Sequence, residues 1–324
     1  YGTACVLTVS GTSISAATAV VFASAATSYP MSTALSSTKA IVVYQDRANS
    51  NYGTACVLTV SGTSISAATE VVFESAATYT NAITMLTDTK AIVVYYDGGN
   101  SQPSTSIILD VSGTSISAGT PKVFTTSSGF GAISITALTT TKAMVTYQDN
   151  GNSGYGTGCV LTVSSSTISA GTPVVFESAS TSSISVTTFT ATKALVTYRD
   201  EANSSYGTSC VLDVNGTSIT AGTPAVVSTP TTVYTAVTAL TSTKAIVVYY
   251  DAGNSNYGTA RVLDNVIGTN LTTTNFLGMS SGAYTNGQTA TVDVLGGISS
   301  NQTSLTIAAT YYVQVDGTLS TTAD

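Results

Sequence analysis

Residues 38–66, TKAIVVYQDRANSNYGTACVLTVSGTSIS, set the hydrophobic and polar pattern that most of the chain follows. An apolar run is followed by a polar stretch around Asp46–Ser50, and then by a second apolar run. In Ile41-Val42-Val43-Tyr44 both alternating faces are apolar, as they are in Cys56-Val57-Leu58. Strands apolar on both faces belong inside a layered β structure, covered on each side. The pattern therefore predicts two central strands joined by a tight polar turn.

A version of this hairpin recurs at 89–117, 141–169 and 192–220, and a truncated one begins at 243. The lysine of its TK pair falls at Lys39, Lys90, Lys142, Lys193 and Lys244, with spacings of 51, 52, 51 and 51 residues. Repeats follow at about 1–51, 52–102, 103–154, 155–205 and 206–256, with a further strand at 257–264. The second repeat holds four strand-like runs, YGTACVLTV (52–60), ISAATEVVF (65–73), NAITML (81–86) and KAIVVYYD (90–97). Four strands in about 40–50 residues is the size of one propeller blade. The expected fold is all-β: a β-propeller of about five four-stranded blades over 1–264, built from 51-residue repeats, with 257–264 as a closing strand. KAIVVYQD becomes the second strand of a blade, YGTACVLTV the third and ISAATEVVF the outermost. NAITML becomes the innermost strand of the next blade. Two alternatives stay open: a sixth blade completed by upstream sequence, and an open β-solenoid.

At Asn265 the pattern changes. Residues 265–324 contain no lysine, arginine or cysteine, and carry strand runs at 289–295 and 304–315 between Asn-Gly and Gly-Gly turn signals. They read as a separate small β module whose end at Asp324 looks incomplete. The start at Tyr1, inside a repeat and without Met or signal peptide, suggests a processed or partial chain.

Composition narrows the partners. Charged residues make up only 8 % of the 324 residues, against roughly 25 % in ordinary soluble domains. Ser, Thr, Gly and Ala fill the gap, as in secreted or particle-borne β proteins. Net charge is −7 and pI about 4.3, with nine basic residues spread along the chain. A phosphate backbone needs clustered cations, so nucleic acid is excluded as a partner. No apolar run is long enough for a membrane-spanning helix, so no membrane insertion is expected. Cys5, Cys56, Cys159 and Cys210 share one repeat position, where Ile107 stands in the third repeat. Around a ring, equivalent positions lie beyond the reach of a disulfide, about 7 Å between Cα atoms. Small buried thiols are expected.

The repeated YxDxGNSxYGTAxVxTVSGTSIS pattern, fullest at 147–176 and 198–227, resembles propeller-like repeats in large adhesins and tail-fibre proteins of marine bacteria and their phages. Residues 282–324 resemble a β module near the ends of phage tail-fibre proteins. The resemblance implies an extracellular virion appendage that attaches to a host surface. It also implies contact with other virion or filament subunits, and a homo-oligomer, with trimers suggested by the tail module.

The hairpin turn resembles a relaxed Asp-box. Its Asp recurs as Asp46, Asp97, Asp149, Asp200 and Asp251, followed by an Asn-Ser pair at Asn49, Asn100, Asn152, Asn203 and Asn254. A structural turn is expected, because an Asp side chain accepts turn amides and Gly or Asn tolerate positive φ. The tyrosines flanking the turn are expected to cover it. A bound Ca2+ is the alternative, though the cation wants about six to eight oxygens. No cofactor or firm metal site is otherwise indicated. In the third repeat Gln102-Pro103-Ser104 replaces Asn-Tyr-Gly, so its hairpin must enter the third strand differently. The repeated lysine reads as a solvated turn cation, and Glu70, Glu74 and Glu177 as solvated faces.

Specificity is expected in the variable segments that lead into the innermost strands: SYPM (28–31), YTNA (79–82), GFGA (129–132), SSIS (182–185) and VYTA (233–236). Tyr29, Tyr79, Asn81, Phe130 and Tyr234 are the candidate ligand contacts. Aromatic faces beside Asn, Ser and Asp suit sugar rings. No catalytic residue is assigned. Without histidine there is no Ser-His-Asp triad, and a glycosidase needs two carboxylates about 5–10 Å apart. The sequence reading is thus a non-enzymatic adhesin that binds a cell-surface glycan or protein. A structural subunit of a filament is the alternative, and a carbohydrate-active propeller enzyme is the third.

Overall fold

A computed structural model of the chain describes residues 1–125 and 131–264, together with 279–280, 292–293, 312–313 and 319–320. The chain divides into two compact units, Tyr1–Asp264 and Asn265–Asp324.

The first unit is a β-propeller of antiparallel strands. It opens with β1 (Gly2–Ala4), β2 (Leu7–Ser10), β3 (Ser13–Ala16) and β4 (Val20–Ala23). These correspond to the third and outer strands of a blade. The first full blade has β5 (Thr27–Ser36) innermost, then β6 (Lys39–Asp46) and β7 (Tyr52–Ser61). Its outer edge is shared by β8 (Ser64–Ala67) and the start of β9 (Val71–Thr87). The second blade takes the rest of β9, then β10 (Lys90–Asp97), β11 (Ser104–Ser112), β12 (Ser115–Ala118) and β13 (Lys122–Thr125). The third has β14 (Ile133–Thr139), β15 (Lys142–Asp149), β16 (Tyr155–Ser164), β17 (Thr167–Ala170) and the start of β18 (Val174–Thr190). The fourth continues β18 into β19 (Lys193–Asp200), β20 (Tyr206–Asn215), β21 (Ser218–Ala221) and the start of β22 (Ala225–Ala239). The fifth takes the rest of β22 with β23 (Lys244–Asp251) and β24 (Tyr257–Asp264). In the second unit, β25 (Met279–Ser280) pairs with β26 (Val292–Asp293), and β27 (Tyr312–Val313) with β28 (Leu319–Ser320).

The order within a blade is the one the repeats predict, with two differences. The run expected as one outer strand is broken. In the first blade Ser64–Ala67 folds back on the end of β7, and Val71–Ala77 pairs with its beginning. The link to the next blade is continuous strand: in β9, Val71–Ala77 pairs with β7 and Thr78–Thr87 with β10. Both follow from length, because one strand leaves the outer edge of a blade and enters the centre of the next without a loop.

In the first four blades the second strand is buried on both faces because each face meets a different neighbour, whereas β23 of the fifth is buried only on alternate residues. Ile41, Val43, Val93, Tyr95, Ile107 and Leu109 pack in the seam between the first and second blades. The alternate residues Ile92, Val94 and Tyr96 pack with Val145, Tyr147 and Cys159 in the next seam. Each of the first four blades is therefore a layer between two apolar interfaces, whose burial supplies the main driving force.

Three repeated groups tie the seams, and the structure corrects the sequence reading of each. The tyrosine before the Asp turn does not cover the turn. Tyr44, Tyr95, Tyr147 and Tyr198 are at most 1 % exposed. Each packs on the phenylalanine of the preceding outer strand, with ring centroids 5.4, 5.6, 5.7 and 5.3 Å from Phe22, Phe73, Phe124 and Phe176. Glu74 and Glu177 are not purely solvated, since they accept the hydroxyls of Tyr95 at 2.8 Å and Tyr198 at 2.9 Å. The glycine of YGT lies under the same ring: a Cβ on Gly53 would stand 2.6 Å from Phe73, and one on Gly156 2.5 Å from Phe176. Three of the five repeated lysines are staples between blades, while Lys193 and Lys244 pair with Asp213 and Asp264 on the adjacent strand of their own blade. Lys39 Nζ donates to the Gly113 carbonyl at 2.9 Å, Lys90 to Ser165 at 3.0 Å and Lys142 to Gly216 at 2.9 Å. Each acceptor sits at the hairpin tip of the following blade, 74 or 75 residues on.

Among the described residues β24 pairs only with β23, and β1 only with β4. Residues at the two ends of the first unit are correspondingly uncovered. Leu7 is 60 % exposed where Leu58 is 6 % and Leu109 0 %. The same cause separates the thiols. Cys56, Cys159 and Cys210 are buried, and their Sγ–H groups donate to Ala68, Gly171 and Gly222 carbonyls at 3.2–3.3 Å. Burial pushes the Cys159 and Cys210 thiols up to about 11. Cys5, expected to be buried like them, is exposed. No cysteine is in a disulfide.

Candidate functional site

The Asp turns and the entries to the innermost strands lie at one end of each blade. Asp46, Asp97, Asp200 and Asp251 pair across the sheet with Thr27, Thr78, Thr181 and Thr232, which begin those entries.

Each turn spends its carboxylate on the backbone. Asp46, Asp97, Asp149, Asp200 and Asp251 accept at Oδ1 the amide N–H two residues on, at 2.9–3.1 Å. Asn49, Asn100, Asn203 and Asn254 donate their backbone N–H to the carbonyl of the Asp three residues earlier. Asn152 sits instead in a 3-10 turn, Asn150–Asn152. Positive φ falls not on these asparagines but on the two residues after them, such as Ser50 and Asn51 or Ser204 and Ser205. Pro103, lacking an N–H, has no counterpart of the Tyr52-to-Asn49 bond, and Gln102 N–H goes to Asp97 O at 2.8 Å. Pairing of β10 with β11 therefore stops at Tyr96–Ser104, whereas β6 and β7 pair out to Asp46–Tyr52. Among the described residues no group of three or more Cys, Asp or Glu side chains gathers as a cation cage.

Beside the turns, β5, β9, β18 and β22 each carry a bulge where the strand enters the next blade. One residue per bulge takes left-handed backbone: Tyr29 (φ 51°), Thr80 (φ 50°), Ser183 (φ 51°) and Tyr234 (φ 54°). Such backbone costs of order 1–3 kcal/mol outside glycine and clusters at functional positions. A bulge leaves one residue out of the ladder and re-aims its side chain. Tyr29 is thereby 47 % and Tyr234 78 % exposed.

The candidate contacts separate on this frame. Tyr29 and Tyr234 occupy the same repeat position, ten residues before the TK lysine. Tyr79 is one position earlier, half-buried and opposite Tyr96. Asn81 is one position after Thr80 and is 5 % exposed. It turns into the blade, where Ile133 and Ile184 hold the equivalent place in the core, and its amide atoms have no partner among the described residues. Asn81 is therefore corrected from a surface contact to a seam residue. Phe130 lies outside the described residues. Thr80 and Ser183 were missed, although counting back from the lysine identifies them.

Neighbouring bulges are joined. Ser183 Oγ accepts the Tyr234 N–H at 3.2 Å, and the Ser183 carbonyl accepts the Thr235 hydroxyl. Gln45 Nε2 donates to the Thr78 carbonyl at 2.5 Å across the first seam, and Arg47 Nε donates to Ser28 Oγ at 2.6 Å. The end face thus presents separated tyrosine rings over a fixed lattice of hydroxyls, amides and a few charges.

No protein-family model and no curated protein matches the sequence. Solved structures match in fold. BP39L lectin from Burkholderia pseudomallei aligns with a TM-score of 0.54 at 9 % identity, over 72 % of this chain and 66 % of its own. The chain thus spans just under two thirds of that lectin's length. A protein of unknown function from Dyadobacter fermentans aligns at 0.50 and 11 % identity, over 74 % of this chain and 79 % of its own. A triple arginine-to-alanine mutant of AofleA from Arthrobotrys oligospora aligns at 0.53 and 12 % identity, over 78 % and 73 %. At these identities the likeness is one of fold.

Proposed function

We propose that the first unit is a non-catalytic, glycan-binding propeller. The observation that carries this reading is the pair of exposed tyrosines, Tyr29 and Tyr234, held in left-handed backbone at equivalent bulges. An aromatic face flanked by fixed hydroxyl and amide groups matches a sugar, whose C–H face stacks while its hydroxyls seek partners. The turn carboxylates are engaged by amides and so are poor candidates for acid–base work. The fold is shared with a structure described as a lectin. The resemblance of the repeats and of residues 282–324 supports an extracellular, virion-appendage role. There the chain acts as an oligomeric adhesin against a host surface glycan. Several weak sites on an oligomer gain strongly from multivalency. A glycan array probed with the protein displayed multivalently tests the reading. Selective binding to a subset of glycans is expected. Absence of binding at every display density would refute it and leave the structural-subunit alternative.

A further inference from the structure

The seam between the fourth and fifth blades carries an ion pair that, among the described residues, the other blades lack at this position. Arg199 stands where Gln45, Tyr96, Gln148 and Tyr250 stand elsewhere. Its Nη2 donates to Ser205 Oγ at 2.9 Å and lies 3.2 Å from Glu201 Oε2. Ser182 Oγ donates to Glu201 Oε1 at 2.6 Å, and Ser205 Oγ to Glu201 Oε2 at 3.1 Å. Two serines thus hold a guanidinium and a carboxylate side by side. Among the described residues Arg199 Nε is buried without a partner, and Nη1 makes no bond. The side chains remain 27 % and 31 % exposed. Ser182 pairs with Arg199 across β18 and β19, and the next residue, Ser183, binds the Tyr234 backbone. The backbone of the exposed Tyr234 is thus tied to the residue that follows Ser182, a partner of this ion pair.

Resting on the glycan-binding reading above, we infer that this seam is a subsite for a neutral sugar. A vicinal diol is held between Arg199 and Glu201, and the ring's apolar face lies on Tyr234. Each hydroxyl both donates and accepts. A carboxylate beside a guanidinium supplies an acceptor for one function and a donor for the other. The two charges cancel, and Asp200, whose Oδ1 takes the Ala202 and Asn203 amides, leaves the neighbourhood negative. A sugar carboxylate finds no net attraction here, so acidic glycans are disfavoured. Stability does not account for the pair, because part-exposed ion pairs contribute little, and Gln45 fills the same place with one hydrogen bond to Thr78.

The test uses the full chain, with methyl α-glycosides of galactose, mannose and fucose as neutral probes and 3′-sialyllactose as the acidic one. Saturation-transfer NMR and calorimetry report binding. At least one neutral glycoside is expected to bind and sialyllactose not to. Glu201→Gln and Tyr234→Ala should each weaken binding tenfold or more at an unchanged melting temperature, while Lys122→Gln, at the exposed first residue of β13, should not. If a glycoside binds and neither variant weakens it, or if sialyllactose is preferred, the subsite is wrong while the glycan-binding reading stands. If no probe and no array glycan binds, both fall.

Discussion

Removing a single hydroxyl tests the seam between the third and fourth blades. Tyr198 is fully buried, 5.3 Å from the Phe176 ring centroid, and donates to Glu177 Oε2 at 2.9 Å. Tyr198→Phe keeps the ring contact and deletes only the hydrogen bond. A bond to a charged acceptor contributes about 1.5–3 kcal/mol. Glu177 is half-buried and regains water when the bond is lost, so the expected loss at pH 7 is about 1.5 kcal/mol, the low end of that range. Equilibrium urea unfolding measures it. The same variant has a pH signature. Burial, and then the charge of Glu177, push the Tyr198 hydroxyl far above the usual phenol range. The folded form keeps a proton that the unfolded chain releases near about pH 10. Stability from this group is complete below about pH 10 and declines above it by about 1.4 kcal/mol per pH unit. Tyr44, Tyr95 and Tyr147 are raised in the same direction, chiefly by burial, and Tyr96 is pushed to about 12, so the parent should lose stability steeply in alkali. Tyr198→Phe removes one proton from that slope. The variant should be weaker than the parent at pH 7, and the gap should close toward pH 11. Parallel decline of the two proteins, or no loss at pH 7, would refute the reasoning.

Gly156→Ala places a Cβ 2.5 Å from Phe176 Cε2 inside the same seam and should cost about 1–3 kcal/mol by overpacking. Gly258→Ala, with nothing within 4 Å, should be nearly neutral in the same thermal melts, and equal effects would count against the ring-on-glycine contact. Native alkylation with iodoacetamide, read by mass spectrometry, should label Cys5 alone, because Cys56, Cys159 and Cys210 are buried. Rapid labelling of Cys159 in the folded protein would contradict the layered seams.

The candidate site was legible only in part. The segments before the innermost strands were identified, but their frame was not. Tyr29 and Tyr79 look equivalent by composition, yet the bulge places Tyr29 in the position of Thr80 and leaves Tyr79 in the ladder opposite Tyr96. A one-residue offset exchanges the two faces of a strand, and so Asn81 enters the seam while Tyr234 faces outward. Glu201 went unremarked because its value lies in Arg199, Ser182 and Ser205, which reach it from two strands and a turn.

The order of strands within a blade, the phase of the hairpin and the change of pattern at Asn265 follow from the sequence itself. Hydrophobic periodicity and the recurrence of the TK lysine are local and additive along the chain. The roles of the repeated side chains were settled only by folding. Lys39 reaches a carbonyl 74 residues away, and Tyr95 a carboxylate 21 residues back, because strand crossing brings neighbouring blades face to face. Burial is likewise a property of the neighbour and not of the residue: Cys5 and Cys56 occupy the same repeat position, but only Cys56 has a blade packed over it.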